Sequence, residues 1–520
     1  MSAEGGVFRA AGLIAVITVV SKLIGFLRDV VIAKYFGASL VSDAYFYAYQ
    51  IPAVAILILG GVGGPFHSAT VAVFSKIIDL KSGKPTQKAV ELFRTFATLS
   101  SIVFAILGVL IFLFSDVIMG LIIGSGNPEL VSLSSVHLKI MSPIMILGGI
   151  IGIYYGLLVT HNKFLLPNLS PTVMSAVIII ALIASKNNHS GLVLAIATAV
   201  GAFCQLIMQV PAVRALGFTF RPNFNFLNNP ELKQIGELLF PAILSSTIGQ
   251  IHIYIDMFFA SKLQEGVWTA IGYANRVFQF PLGVLVTAFL VPLFPLFAKL
   301  VAQNAYSDIT YYFKRGIGML NFLSVPVVFL IALLGYDGIR LVFERGAFNS
   351  NATMLVSQAL FYLSLGLIPY VFRDSVTRVY YSFNDSKTPF LIALCSIIAK
   401  IFFNCLFINV FKFGIGGITF STTLVTLFNA VVLGVLVVKK IRLDYKSYFV
   451  DLFKMCFVSA LCFCVLLPFE KLWNAADTGM LVCKLAVLTF GFLAAYFVLS
   501  LLFRIEFAKL LVRKIQKKEM

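Results

Sequence analysis

Residues 10–37 read AAGLIAVITVVSKLIGFLRDVVIAKYFG. A membrane-crossing helix needs about 20 mostly apolar residues, and this stretch supplies them while carrying Lys22, Arg28, Asp29 and Lys34. Its start, Arg9 followed by an apolar run from Ala10 to Val20, has the pattern of a secretion signal. The run continues past Ser21-Lys22 to Phe36, however, with no small-residue cleavage site after it. It is therefore read as the first membrane helix. Ionisable groups are costly in lipid, so a helix that keeps four of them is expected to face a cavity or a partner.

The remainder of the 520-residue chain is of the same kind, 60% hydrophobic and only 12% charged, with a mean hydropathy of +0.97. A soluble domain is nearer half apolar and a quarter charged. The composition excludes a water-soluble protein, a nucleic-acid binder and a secreted disulfide scaffold. The 51 phenylalanines suit lipid-facing surface. The net charge of +18 is read as cytoplasmic loop charge required by topology. The seven cysteines lie in or near apolar runs with no CxxC and no paired His/Cys spacing, so they are read as small core residues. No metal and no cofactor are expected.

The apolar segments give fourteen spans, at about 10–37, 43–75, 95–124, 134–160, 168–186, 190–213, 236–262, 267–299, 315–335, 354–383, 389–411, 414–438, 449–469 and 479–503. With both termini placed in the cytoplasm, inside loops and tail hold about 24 Lys and Arg against 7 outside. A missed or invented span would invert every later loop, so this asymmetry supports the count.

An internal repeat organises the spans. Pro143 precedes Tyr154-Tyr155 by eleven residues, and Pro369 precedes Tyr380-Tyr381 by the same eleven, an offset of 369 − 143 = 226. Gly25 and Gly249, and Pro52 and Pro281, stand at offsets of 224 and 229. The fold expected is an all-α polytopic membrane protein with two six-helix lobes around a central cavity and two further helices. The lobes are residues 1–230 (spans 1–6) and 231–445 (spans 7–12), and residues 446–520 hold spans 13–14 and a basic tail. Parallel repeats of this kind occur in alternating-access transporters.

Charge inside the spans concentrates in equivalent helices of the two halves. Lys22, Arg28, Asp29 and Asp43 fall in spans 1 and 2, His252, Asp256 and Arg276 in spans 7 and 8, and Arg373, Asp374 and Arg378 in span 10. Lys22, Arg28, Arg276 and Arg378 would make a pathway net positive, and arginine presents two donors to a phosphate. The substrate is therefore expected to be anionic. The competing reading for each arginine is snorkelling, or pairing with a neighbour such as Asp29 or Asp374. Lys400 and Asn404, four apart on span 11, share a helix face. Asp256 is the candidate partner of Lys400, as a structural ion pair or part of ion coupling. Gly60, Gly61, Gly63 and Gly64, before Pro65, interrupt span 2 and are read as a hinge. They lack the Lys-Ser/Thr ending of a phosphate loop. No triad or paired-carboxylate site appears, so an enzyme is not expected.

Several stretches resemble one family. They are Ser21-Lys22-Leu23-Ile24-Gly25-Phe26-Leu27-Arg28-Asp29 with Phe36-Gly37-Ala38 and Ser42-Asp43-Ala44, then Tyr273 to Val284, then Tyr380-Tyr381-Ser382-Phe383-Asn384-Asp385-Ser386-Lys387-Thr388-Pro389, and Asn162-Lys163-Phe164 with Pro167 and Pro171. Together they resemble the MurJ (MviN) lipid II flippases of the MOP exporter superfamily. The resemblance implies movement of the undecaprenyl-diphosphate-linked peptidoglycan precursor from the inner to the outer leaflet of the bacterial cytoplasmic membrane. It implies cavity-facing cations at Lys22, Arg28 and Arg276, a further functional position at Asp43, and a hydrophobic groove at spans 13 and 14 for the lipid tail. The sequence departs from the family pattern at Ala53-Val54-Ala55-Ile56-Leu57, at Asn275 and Gln279 beside Arg276, and at glycines 60–64.

Three other readings stay open at this stage. One is a flippase for another polyprenyl-diphosphate oligosaccharide, of O-antigen or capsule type. A second is a cation-coupled multidrug exporter, which would want an acidic cavity. A third is a membrane scaffold that recruits cell-wall synthesis proteins. The expected partners are the lipid-linked diphosphate and membrane lipids, and no nucleic acid.

Overall fold

The computed structural model describes residues 3–61, 64–78, 85–124, 126–185, 191–226, 229–286, 290–441, 445–475 and 477–510. Gly63 of the expected hinge lies outside them, as do the loop cations Lys81, Lys84, Lys186 and Arg442 and the tail from residue 511. Among the described residues there are nineteen α-helices and no strand. Among the described residues nine helices are long and apolar enough to cross a membrane, and two bent pairs bring the number to eleven. Of the other expected spans, 10–37 lies on α1 (Ala3–Phe36), which carries the four ionisable groups noted above. The second is interrupted, and the eighth is described only on either side of residues 287–289, so a count of fourteen rests on joining their pieces.

The chain forms two compact units, Met1–Thr269 with Arg345–Phe348, and Ala270–Glu344 with Asn349–Met520. The first holds α1, α2 (Leu40–Ala53), α3 (Pro65–Ile77), α4 (Gln87–Leu113), α5 (Ser115–Ile123), α6 (Pro128–Met141), α7 (Ile144–Thr160), α8 (Leu165–Ala184), α9 (Leu192–Ala215) and α10 (Pro230–Ala260). It also holds the first residues of α11 (Val267–Leu285). Pro52 lacks the N–H that an α-helix needs there, and the chain continues as a π-helical segment, Val54–Leu59, closed by Gly60 N–H donating to Ala55 O at 2.8 Å. Span 2 is thus broken between α2 and α3.

The broken stretch packs against α7 along a line of small residues. A Cβ on Gly148 would stand 2.7 Å from the Ala55 carbonyl, one on Gly152 2.8 Å from Gly60 Cα, and one on Gly156 2.3 Å from Thr70 Cβ. Helices in lipid gain attraction from such close approach, because lipid tails are as apolar as leucine. An aromatic core of Phe66, Phe74, Phe93, Phe96, Phe104 and Phe218 fills the space among α3, α4 and α7. Phe66 stacks on Phe96 at 5.8 Å, and Phe93 meets Phe218 edge-on at 5.5 Å.

The second unit continues with the rest of α11, α12 (Val291–Ala302), α13 (Tyr306–Phe343), α14 (Ser350–Leu365), α15 (Leu367–Ser382), α16 (Lys387–Asn404), α17 (Gly414–Val437), α18 (Tyr445–Leu472) and α19 (Thr478–Leu502). Phe322, Val325, Met455, Cys462, Leu488 and Phe492 form a core that fastens α18 and α19 to α13. Tyr496 adds a hydrogen bond from its hydroxyl to Phe322 O at 3.0 Å. The outer faces of both late helices stay apolar and exposed, with Phe453 at 70% and Phe490 at 73%, as lipid contact requires.

The sequence repeat has a geometric counterpart. Span 4 is the pair α6 and α7, bent by 46°, and span 10 is the pair α14 and α15, bent by 43°. Pro143 stands at the first break, and Pro369 stands within the first turn after the second.

Candidate substrate-binding site

In the first unit α1, the π-helical segment, α7, α8 and α9 line a cavity of about 310 Å³. Lys22 borders it, together with Ser21, Tyr155, Asn168 and Gln205. Ser21 Oγ donates to Asn168 O at 2.7 Å, which ties α1 to α8. Lys22 is exposed, and among the described residues it makes no ion pair. Its ammonium is available to a ligand.

Arg28, further along α1, is used differently. Its Nε and one terminal nitrogen donate to Asp29 Oδ1 at 3.1 and 2.9 Å. Asp29 is buried at 3%. The pair is neutral as a unit, the neighbour-pairing alternative raised by the sequence. The same holds for Arg378, whose guanidinium lies 3.3 Å from Asp374 one turn earlier on α15. Arg276 is half-buried on α11 and its guanidinium lies over the Tyr273 ring at 5.7 Å. Of the four cations counted toward a positive pathway, Arg28 and Arg378 therefore carry their own counter-charge.

Asp43 is buried at 4% in the first turn of α2. It accepts from Gly266 N–H at 2.7 Å, Thr269 N–H at 2.8 Å and Thr269 Oγ1 at 2.6 Å. It thereby serves the free N–H groups at the start of α11, a capping role normally filled by a residue of the same helix. Gly266 has φ +81° and a Cβ there would lie 2.3 Å from Ala38 O, so only glycine brings this N–H to the carboxylate.

Lys400 is 1% exposed on α16, and its ammonium donates to Thr422 Oγ1 of α17 at 2.6 Å. Asn404 is buried one turn on. Asp256 is half-buried on α10, in the other compact unit. Gly60 is buried against Gly148, while Gly61 and Gly64 are half-buried.

Sequence reading missed one charged cluster. Lys484 of α19 lies 2.7 Å from Asp337 of α13 and 3.0 Å from Glu470 of α18. Lys484 and Asp337 are buried at 5% and 8%. Hydropathy placed residue 337 beyond span 9, which was expected to stop near 335. The helix runs on to Phe343, and the lysine neutralises its acid. A second cavity, of about 340 Å³, is almost wholly apolar and is lined by Phe372, Val431, Tyr448 and Phe449 among α15, α17 and α18. It involves span 13 but not span 14.

The family model "Lipid II flippase MurJ" matches residues 32–511. The chain belongs to this family. A Synechocystis protein named "Probable lipid II flippase MurJ" is 32% identical over 432 residues, covering 81% of this chain and 79% of the relative. Among solved structures, one titled "Lipid II flippase MurJ, inward closed conformation" matches at TM-score 0.77 and 23% identity, covering 94% of this chain and 98% of its own. An inward-facing multidrug resistance MATE family transporter of the MOP superfamily matches at TM-score 0.59 and 14% identity, covering 80% and 93%. At these identities the two structures speak for a shared fold. The chain is thus a multi-span membrane protein of the MurJ family, with the all-α architecture of MOP transporters. Lys22 and Arg28 lie on α1, both ahead of the matched region, and Arg276 lies inside it.

Proposed function

We propose that this chain is a flippase that carries the undecaprenyl-diphosphate-linked peptidoglycan precursor, lipid II, from the inner to the outer leaflet of the bacterial cytoplasmic membrane. The match of the MurJ family model over residues 32–511 carries this reading. The cations assigned to the diphosphate are Lys22 and Arg276, while Arg28 is matched by its neighbour Asp29 on α1. Arg378 is assigned a supporting role, its charge shared with Asp374. The prenyl tail stays in lipid and against apolar helix surface.

Transport proceeds by alternating access. The six-helix lobes, residues 1–230 and 231–445, are the moving parts, glycines 60–64 bend span 2, and both termini stay cytoplasmic. Asp256 and Lys400 act as a pair in one state of the cycle. With an inside-negative potential, an empty site that bears net positive charge is drawn back inward. Each charge moved through the field contributes about 2.3 kcal/mol per 100 mV. This resets the carrier without nucleotide, and no chemical step on the substrate is assigned to the protein.

Depletion of the protein in its own cells tests the reading. Lipid II should accumulate in the inner leaflet and be restored to the outer leaflet by re-expression. Accumulation of a different polyprenyl-diphosphate glycan would reassign the cargo, and accumulation of none would remove the flippase reading.

A further inference from the structure

The cavity beside Lys22 is backed by a buried network that leaves hydrogen-bonding capacity unused. Gln205 Nε2 of α9 donates to the Tyr155 hydroxyl of α7 at 2.9 Å, and that hydroxyl bonds Ser170 Oγ of α8 at 2.6 Å. Gln209, one turn along α9, donates from Nε2 to Gln205 O at 3.1 Å. Gln205 is 1% exposed and Gln209 0%. Among the described residues neither Gln205 Oε1 nor Gln209 Oε1 has a hydrogen-bond partner.

The orientations constrain what is missing. Turning the Gln209 amide would set its oxygen against the Gln205 carbonyl, so its unpartnered atom is an acceptor. Turning the Gln205 amide would only exchange which of its atoms is left over. A buried polar atom without a partner is costly, and this side chain borders the cavity. The cavity is therefore bordered by the Lys22 ammonium and by the side chain that carries the buried, unpartnered Gln205 oxygen, with Pro167, Pro171 and Met174 as an apolar wall. A bare diphosphate answers Lys22 and leaves the amide oxygen unanswered. A ring that carries hydroxyl or N–H donors and hangs from a phosphate answers both. At about 310 Å³ the cavity sits at the small end of ligand pockets, suited to one such ring and not to a whole glycopeptide.

We infer that this cavity is a sugar subsite, taking the phosphate-linked sugar of the cargo with Gln205 as acceptor and Lys22 on the phosphate side. The inference rests on the flippase reading and adds selectivity to it, since undecaprenyl diphosphate without its sugar would be discriminated against.

The test is equilibrium binding to the full-length protein in lipid nanodiscs, with undecaprenyl diphosphate and lipid II as the two probes. The native protein should bind lipid II more tightly. Gln205→Leu should weaken lipid II binding about tenfold and leave undecaprenyl diphosphate unchanged. Lys22→Ala should weaken both. Ser170→Ala, which cuts the internal network without bordering the cavity, controls for stability and should keep the preference. Equal affinity of the native protein for the two probes, or an undiminished preference in Gln205→Leu, overturns the subsite and leaves the diphosphate reading standing. Failure of the native protein to bind either probe overturns both.

Discussion

The carboxylate of Asp43 receives both the backbone N–H and the hydroxyl of Thr269, at 2.8 and 2.6 Å, across 226 residues of chain. A carboxylate at a helix N-terminus gains from the free N–H groups and from the helix dipole, and burial keeps water from competing. Asp43→Ala strands these donors in a dry site and should cost about 2–3 kcal/mol. Asp43→Asn keeps one acceptor and should cost less. Thr269→Val removes only the hydroxyl donor. Thermal unfolding in detergent should rank the three in that order of severity, with Asp43→Ala lowest. Equal melting points for Asp43→Ala and the native protein would remove the capping role.

Lys484 holds two acids where α13, α18 and α19 meet. Lys484→Met leaves Asp337 and Glu470 facing each other without a counter-charge and should destabilise by about 3–5 kcal/mol. The triple change Lys484→Met, Asp337→Leu and Glu470→Leu should regain most of that loss, because buried ion clusters seldom outperform well-packed apolar groups. Unfolding midpoints of the native, single and triple forms check this. A single variant as stable as the native protein would show that the cluster is solvated in practice.

The α7 glycines should tolerate no side chain. A methyl at Gly152 would come within 2.8 Å of both Gly60 Cα and Phe66 Cβ. Gly152→Ala should cost about 1–3 kcal/mol, the usual penalty of overpacking. Gly236, where a Cβ meets nothing within 4 Å, provides the control. Gly236→Ala should be neutral or slightly stabilising, as a helix interior favours alanine.

Asp385, between α15 and α16, supplies a pH-dependent contact. Burial works to raise its carboxyl pKa. Hydrogen bonds from the Thr388 N–H and hydroxyl, both at 3.0 Å, and the Lys440 ammonium at 3.1 Å outweigh this and hold it below its ordinary 3.8. A native pKa below the unfolded one means that the contribution is complete above pH 3.8. It is lost as pH falls through the lower native value. Asp385→Asn should therefore lower the melting point at pH 7, by the equivalent of about 1 kcal/mol, and the gap to the native protein should narrow as the pH falls below 3.8. A gap independent of pH would assign the effect to packing.

On α1, Arg28→Ala should abolish complementation of a depleted strain while Asp29 loses its partner. Lys22→Ala should abolish complementation with little loss of stability, because Lys22 makes no ion pair among the described residues. Unfolding midpoints measured beside complementation separate the two effects. A fully complementing Lys22→Ala would remove that ammonium from the transport site.

The sequence by itself determined the class of solvent, the helical architecture, the repeat and the family, because these depend on the polarity and spacing of residues near one another in the chain. That span 2 is interrupted was legible for the same reason, whereas its break after Pro52 and the paired bends of spans 4 and 10 came only with the structure. Which charges are available was not legible. Arg28 and Lys22 look alike in sequence, yet Arg28 is matched by Asp29 at 2.9 Å while Lys22 borders a cavity. Asp43 looked like a ligand-facing acid and proved to be occupied by Thr269, and Lys484 looked like a loop cation and proved to be buried between Asp337 and Glu470. Only the tertiary structure decided these, since an ionisable group's state is set by what packs within a few ångströms of it, and those partners come from distant parts of the chain.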